Sequence, residues 1–338
     1  MKKIHIFTHN DLDGMGVQII GRLYAQSVGM PCEVHKCNYQ TINQEVMKCL
    51  SGYRDGEIEE IIIGDISVLE DTAKMLDLVS KLGIPVSLRD HHATAEWLNK
   101  YDWAYVAEKE MGIPYCGTWL LAMDYSEIYQ KMAVFVNTVD DWDTWKWKTN
   151  GNVHARRLAT LYKTMSDEEF IEYIMNLDMD NVKNPEDLFT VYANKIVDAT
   201  EKTINSAAKG CEENMWVSTM KFKTHNKKKV ALKVGIVFAY NNVSEIADYI
   251  IDRHPELDLV MIGALPRAFS FRTQKDLPIP LGEIAKQVTG SGGGHPHSAG
   301  AAISTEKFQD GFFNFFCAIS GGARMESLKP LKEKKNRK

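Results

Sequence analysis

The sequence predicts a two-domain α/β protein whose first domain is a doubly wound, mainly parallel sheet. Three observations lead there. Short apolar runs alternate with amphipathic stretches of helical period over residues 1–150. The run Ile61-Ile62-Ile63 is apolar at consecutive positions, as a parallel strand covered on both faces requires. The strand signal fades across residues 154–210 and returns from Lys229 in a second, smaller set.

Taken in order, residues 3–8 read as a first strand, followed by a loop and a helix over 17–26 with Ile19, Ile20 and Leu23 on one face. Residues 33–39 read as a second strand and 43–50 as a helix. The Ile-rich strand spans 59–63, an amphipathic helix 72–82, and the next strand 85–88, closing on Arg89-Asp90-His91-His92. Residues 116–123 and 132–139 complete this domain, the latter as a helix. Residues 186–207 hold little Gly or Pro and extend a helical connector. Strands over 230–239, 257–263 and 267–272, with a helix over 244–253, form the second domain. The expected divisions are a first α/β domain over 1–150, a helical connector over 151–225, a smaller α/β domain over 226–325 and a basic tail over 326–338.

A chain of 338 residues can hold two separate cores. Its net charge of −5 excludes a protein that coats polyanions in bulk, while leaving room for local basic patches. Six cysteines are scattered without a C-x-x-C pair, so neither a zinc knuckle nor a redox motif is expected, and the thiols read as reduced. The chain opens directly on a strand, without a leader, and no apolar run reaches membrane-spanning length. A cytoplasmic protein without a membrane partner is the expectation.

The chemistry lies where apolar runs end. If the first loop stays extended, His9, Asp11 and Asp13 point the same way, because side chains alternate along a strand. Asp65 ends the Ile-rich strand, and Asp90, His91 and His92 end the next. Another acidic pair, Asp140-Asp141, follows an apolar run. Open α/β sheets place their active sites at the carboxyl ends of strands. Carboxylates and imidazoles without thiolates suit Mn²⁺, or Mg²⁺ as the alternative, better than structural zinc. So many carboxylates repel one another unless cations neutralise them. Two cations bridged by one carboxylate are a known device for phosphoester hydrolysis.

His9-x-Asp11-x-Asp13-Gly14, Asp65, Asp90-His91-His92, Asp140-Asp141 and Gly292-Gly293-Gly294-His295 resemble, in that order, the motifs of the DHH phosphoesterase superfamily. The superfamily includes RecJ-like exonucleases, nanoRNases, cyclic-dinucleotide phosphodiesterases and family II pyrophosphatases. The resemblance spans residues 5 to about 303. It implies two Mn²⁺ ions per site. His9 and Asp11 would hold one and Asp13 the other, with Asp65 bridging. His91 would bind the second ion, Asp90 would orient it, and His92 would face the phosphate. Asp141 is the fourth-motif ligand, with Asp140 and Asp143 as alternatives. Arg272, Gly292, Gly293, Gly294 and His295 would bind substrate in a DHH-associated second domain, whose glycine loop argues against a pyrophosphatase.

The implied function is hydrolysis of short oligonucleotides, or of single-stranded nucleic acid ends, to mononucleotides. The alternatives are a cyclic or linear dinucleotide phosphodiesterase, a RecJ-like exonuclease, and a nucleotide-binding protein that has lost catalysis. Oligomeric state stays open. Other residues take plainer readings. His5 and His35 lie within strands as packing or surface residues. Arg89 is expected to pair with a nearby carboxylate, with a role towards substrate as the alternative. Trp142, Trp145 and Trp147 pack in a core or interdomain contact rather than stacking on bases. Lys227 to Lys229 are solvated charge, with guidance of nucleic acid as the minority reading.

Overall fold

A computed structural model of the protein describes residues 1–52, 56–264, 268–290, 292–295 and 297–302, with His295 described by its backbone alone. The expected basic tail, Cys317, Ser291 and Pro296 lie outside the described residues. The chain forms two compact units, Met1–Asp198 and Ala199–Lys338.

The first unit is the expected doubly wound sheet. Strands β1 (Lys3–Thr8), β2 (Cys32–Lys36), β3 (Ile58–Gly64), β4 (Val86–Asp90) and β5 (Ala104–Val106) are all parallel, in the order β2-β1-β3-β4-β5. Helices α1 (Leu12–Ser27), α2 (Ile42–Ser51) and α3 (Glu70–Lys81) make the crossovers. Alternating side chains feed two cores. Ile4, Ile6 and Ile62 pack with α1 on one face, while Phe7, Ile61, Ile63 and Leu88 pack with α2 and α3 on the other. Ile61, Ile62 and Ile63 are each 0% exposed, so the consecutive apolar run serves both faces. Each such side chain contributes roughly 1.5–3 kcal/mol on burial.

A small hairpin of β6 (Lys109–Glu110) and β7 (Ile113–Pro114) precedes α4 (Gly117–Met123) and α5 (Ser126–Asp143). Helix α5 is longer than the apolar run suggests and ends on the acidic cluster itself. Helices α6 (Trp147–Asn150), α7 (Val153–Lys163) and α8 (Asp167–Met175) follow, α8 starting at a Ser166–Glu169 capping box. Residues 153–175, expected as part of a helical connector, are helical and pack onto the first unit. Leu158, Leu161, Phe170 and Ile174 are buried in the same core as α1, because their helices carry apolar stripes that need a partner. Trp142 is half-buried against that core and stacks on Trp147 at 5.8 Å.

The division falls at residue 198, within α9 (Val191–Glu213). The second unit is a six-stranded mixed sheet. Its elements are β8 (Trp216–Lys223), β9 (Lys229–Phe238), α10 (Val243–Arg253), β10 (Leu259–Ala264), β11 (Ala268–Arg272), α11 (Leu281–Thr289), β12 (Gly293–His295) and β13 (Ser298–Ala302). The order is β12-β13-β11-β10-β9-β8, with only β9 and β10 parallel. Strand β8 falls within residues expected as connector, since its pattern of exposed, basic positions carries little apolar signal. It forms with β9 a long antiparallel ribbon. Lys221, Lys223, Lys229 and Lys233 lie on one exposed face, because directly paired residues share a face. Residues 216–238 hold six lysines and no Asp or Glu. No helix among the described residues is long and apolar enough to cross a membrane.

Candidate metal centre and active site

The three adjacent strands β1, β3 and β4 end in register. Thr8 pairs with Gly64, and Gly64 with Arg89. His9, Asp65 and Asp90 each stand one residue beyond that row, so the carboxyl edge of the sheet gathers them. The first loop is not extended as expected. Asp11 caps α1, accepting the Gly14 N–H at 3.0 Å, and Asp13 sits inside its first turn. The helix begins earlier because Asp11 satisfies an N–H that would otherwise lack a partner.

Two groups of ligand atoms result, His9-Asp11-Asp65 and Asp13-His91-Asp143, with a third, Asp65-Asp90-His91-His92, overlapping them. Asp65 belongs to both neighbourhoods: its Oδ2 is 3.8 Å from His9 Nδ1 and its Oδ1 is 3.4 Å from His91 Nε2. His91 Nε2 also lies 3.7 Å from Asp13 and 3.4 Å from Asp143. His9 Nδ1 approaches Asp11 to 2.6 Å. Burial alone would raise the Asp11 carboxyl, but its bond to His9 brings it down to about 2. Asp65 is pushed well up by burial and by the charges of Asp13, Asp11 and Asp143, and Asp143 is raised to about 7 by burial against the attraction of His91. Oδ2 of Asp65 and Oδ2 of Asp90 are buried and accept no hydrogen bond. Buried carboxylates crowded this way, short of donors, fit a pair of divalent cations.

The backbone pays for this placement at Asp65, whose φ is +58°. A non-glycine residue held there costs roughly 1–3 kcal/mol, a strain that tends to occur at functional sites. Helix α4 holds the arrangement from outside. The N–H groups of Gly117 and Thr118 donate to the two carboxylate oxygens of Asp13 at 2.7 Å each, and Thr118 Oγ1 donates to its carbonyl at 2.6 Å. A Cβ on Gly117 would stand 2.7 Å from Asp65 Cβ and 2.8 Å from its Cα. Gly117→Ala is therefore expected to cost about 1–3 kcal/mol of stability and to weaken Mn²⁺ binding. Thermal unfolding and Mn²⁺ titration check this; unchanged Mn²⁺ affinity would show that α4 does not set the position of Asp65.

Asp141 is not brought to the centre. Helical geometry puts Asp140 and Asp143, three residues apart, on one face and turns Asp141 away. Asp141 accepts bonds from Asn150 and Asn152 at 2.8 Å each. Asp140 accepts the Cys116 N–H at 2.9 Å and pairs with Lys146, which leaves Asp143 as the fourth carboxylate of the cluster. Asp90 orients a different histidine from the one expected. Its Oδ1 accepts His92 Nδ1 at 2.7 Å and touches His91 only through the backbone N–H, at 2.8 Å. Burial would lower the His92 pKa, but Asp90 raises it. Arg89 pairs with Asp124 at 2.8 Å, as expected.

Tyr39 is not legible in the sequence as a site residue. It follows β2 at the same sheet edge, with its ring 5.7 Å from His9 and 6.0 Å from His92. Burial and the charges of Asp90, Asp65, Asp11 and Asp143 keep its hydroxyl protonated, above the ordinary pKa. The available signal is topological: a polar residue just past a strand adjacent to β1.

In the second unit, Arg272 pairs with Ser298 across β11–β13, and His295 pairs with Ser298 across β12–β13, so their backbones share one row. Arg272 is 9% exposed and donates to Ser244 Oγ at 2.8 Å and Ser270 Oγ at 3.2 Å. Gly294 has φ +145°, and a Cβ there would stand 2.3 Å from the Ser298 carbonyl oxygen. Gly293 and Gly294 border a cavity of about 580 Å³ that His225, Lys275 and Lys286 also line.

No protein-family profile matches the chain. The chain is 27% identical over 314 residues to the oligoribonuclease NrnB of Bacillus subtilis (strain 168), covering 90% of this chain and 74% of that protein. A crystal structure of exonuclease RecJ bound to manganese superposes with a TM-score of 0.54 at 11% identity, covering 94% of this chain and 90% of that one. RecJ from Thermus thermophilus in complex with Mn²⁺ gives 0.56 at 11% identity, over 95% of this chain and 52% of that one. The sequence likeness to an oligoribonuclease, together with a RecJ-like fold, indicates a DHH-type phosphoesterase.

Proposed function

We propose that the protein hydrolyses short oligonucleotides to mononucleotides with two divalent cations, Mn²⁺ foremost. One observation carries the reading: a single buried carboxylate, Asp65, stands between two groups of ligand atoms. His9 and Asp11 would hold one cation, Asp13, His91 and Asp143 the other, and Asp65 both. Cations held there would supply hydroxide near neutral pH and charge stabilisation for the reacting oxygens. His92, held by Asp90, which raises its pKa, would donate to a phosphate oxygen, and the Tyr39 hydroxyl would do the same from the rim. The kinship with NrnB supports oligonucleotides as the substrate class. Arg272, His295 and the loop of Gly292, Gly293 and Gly294 would bind substrate. For Arg272 this requires exchanging its bonds to Ser244 and Ser270 for a phosphate.

A second reading, digestion of longer single strands, draws on the acid-free ribbon of β8 and β9. Its lysines match a phosphodiester backbone. A Mn²⁺-supplemented panel of dinucleotides, oligomers of graded length, cyclic dinucleotides and pyrophosphate separates the two. Catalytic efficiency is expected to peak at two to about five nucleotides, an estimate from the size of small-ligand clefts. Undiminished digestion of long strands at physiological salt would favour the second reading, and hydrolysis of none of these would overturn both.

A further inference from the structure

Strands β1 and β2 are parallel neighbours, with His5 opposite Glu33 and Phe7 opposite His35. Paired residues, and residues two apart on one strand, present their side chains to one face. His5, Glu33 and His35 therefore gather beside Phe7. His5 is 8% exposed, and its Nδ1 lies 3.1 Å from Nε2 of His35. Glu33 directs Oε1 to that same Nε2 at 3.9 Å, while its Oε2 accepts from Lys3 Nζ at 2.8 Å. The lysine thus turns the other carboxylate oxygen towards the imidazoles. The Phe7 ring stacks on His35 at 4.4 Å and 12°, fixing its plane. The His5 Nε2 is buried without a partner, so no hydrogen bond there dictates which nitrogen carries the proton.

We propose that His5, Glu33 and His35 form a second metal site, separate from the catalytic centre, for a single Zn²⁺-class cation. One donor atom from each lies within 4.8 Å of the others. Two imidazoles and one carboxylate are a three-ligand set for zinc, with water in the fourth position. This donor set is richer in nitrogen than the carboxylate-dominated centre that suits Mn²⁺ or Mg²⁺. Tetrahedral ligands at about 2.0–2.1 Å stand roughly 3.3 Å apart, and the two nitrogens are already at 3.1 Å. Without metal, one N–H proton lies between the two nitrogens; when the cation takes its place that proton moves to the other nitrogen of the same ring, His5 Nε2, and both imidazoles stay neutral. Burial keeps both imidazoles below their ordinary pKa, in the neutral form that coordinates metals. Lys3 would persist behind Glu33 as the partner that orients it. Four residues of strand separate His5 from His9, on the order of 13 Å, so the two centres do not share ligands.

The test is Zn²⁺ titration of the chelator-stripped full-length protein by calorimetry, with Co²⁺ as a spectroscopic probe of four-coordinate N/O ligation. The proteins compared are wild type, His35→Ala, Glu33→Gln and Asp65→Asn. Wild type is expected to bind one equivalent of Zn²⁺ more than His35→Ala, over and above what the catalytic centre takes, and Asp65→Asn should retain that extra equivalent. Glu33→Gln should weaken it at least tenfold. Circular dichroism checks folding; if His35→Ala unfolds, Glu33→Gln decides, since Glu33 lies at an exposed edge. Equal Zn²⁺ stoichiometry and affinity in wild type, His35→Ala and Glu33→Gln would leave only a hydrogen-bonded histidine pair and overturn the site.

Discussion

Asp65→Asn is expected to lower kcat by about three orders of magnitude or more, some 4 kcal/mol of transition-state stabilisation, while the metal-free protein becomes more stable. Asparagine tolerates the left-handed backbone that Asp65 adopts at φ +58°. It also removes a carboxyl that burial and three neighbouring carboxylates push well above its ordinary pKa. Activity and stability should therefore move in opposite directions, as at sites that hold like charges together for chemistry. Steady-state kinetics with Mn²⁺ and thermal unfolding in chelator check the two halves. Near-native turnover with full metal occupancy would remove Asp65 from the bridging role.

Asp143→Ala is expected to lose at least a hundredfold in activity, whereas Asp141→Ala stays near wild type, its partners being Asn150 and Asn152. The reverse result would restore Asp141 as the ligand. The pH dependence follows from the same group. Asp143 is raised from 3.8 to about 7 in the folded protein, so the metal-free fold binds this proton more tightly than the unfolded chain does. Its contribution to stability is complete below about 4 and is lost as pH rises through about 7. Metal binding needs the carboxylate, so Mn²⁺ affinity should fall about tenfold per pH unit below 7 for each proton displaced. Stabilisation by Mn²⁺ is thus expected to be greater at pH 8 than at pH 6, measured as the shift in Tm.

Most of this centre is legible in the sequence for one reason. His9, Asp65, Asp90 and His91 follow apolar runs directly, and parallel strands in register align whatever follows them. Asp13 is reached for a partly wrong reason, since a helix turn and two N–H donors from α4 place it rather than strand alternation. Asp143 loses to Asp141 when the apolar run is counted to its end, whereas α5 continues through the acidic cluster and selects by helical face. Tyr39 is invisible because its neighbours belong to other strands. Strand β8 escapes the pattern because an exposed edge strand needs few apolar residues, and its lysines read as loop.

That ribbon also bears on how quickly, and in which orientation, a substrate arrives. Residues 216–238 carry six lysines in a chain of net charge −5, so the charge is strongly uneven along the sequence. An approaching phosphodiester would meet attraction at β8 and β9. Encounters would then be steered to one face, with an association rate that falls as added salt shortens the screening length.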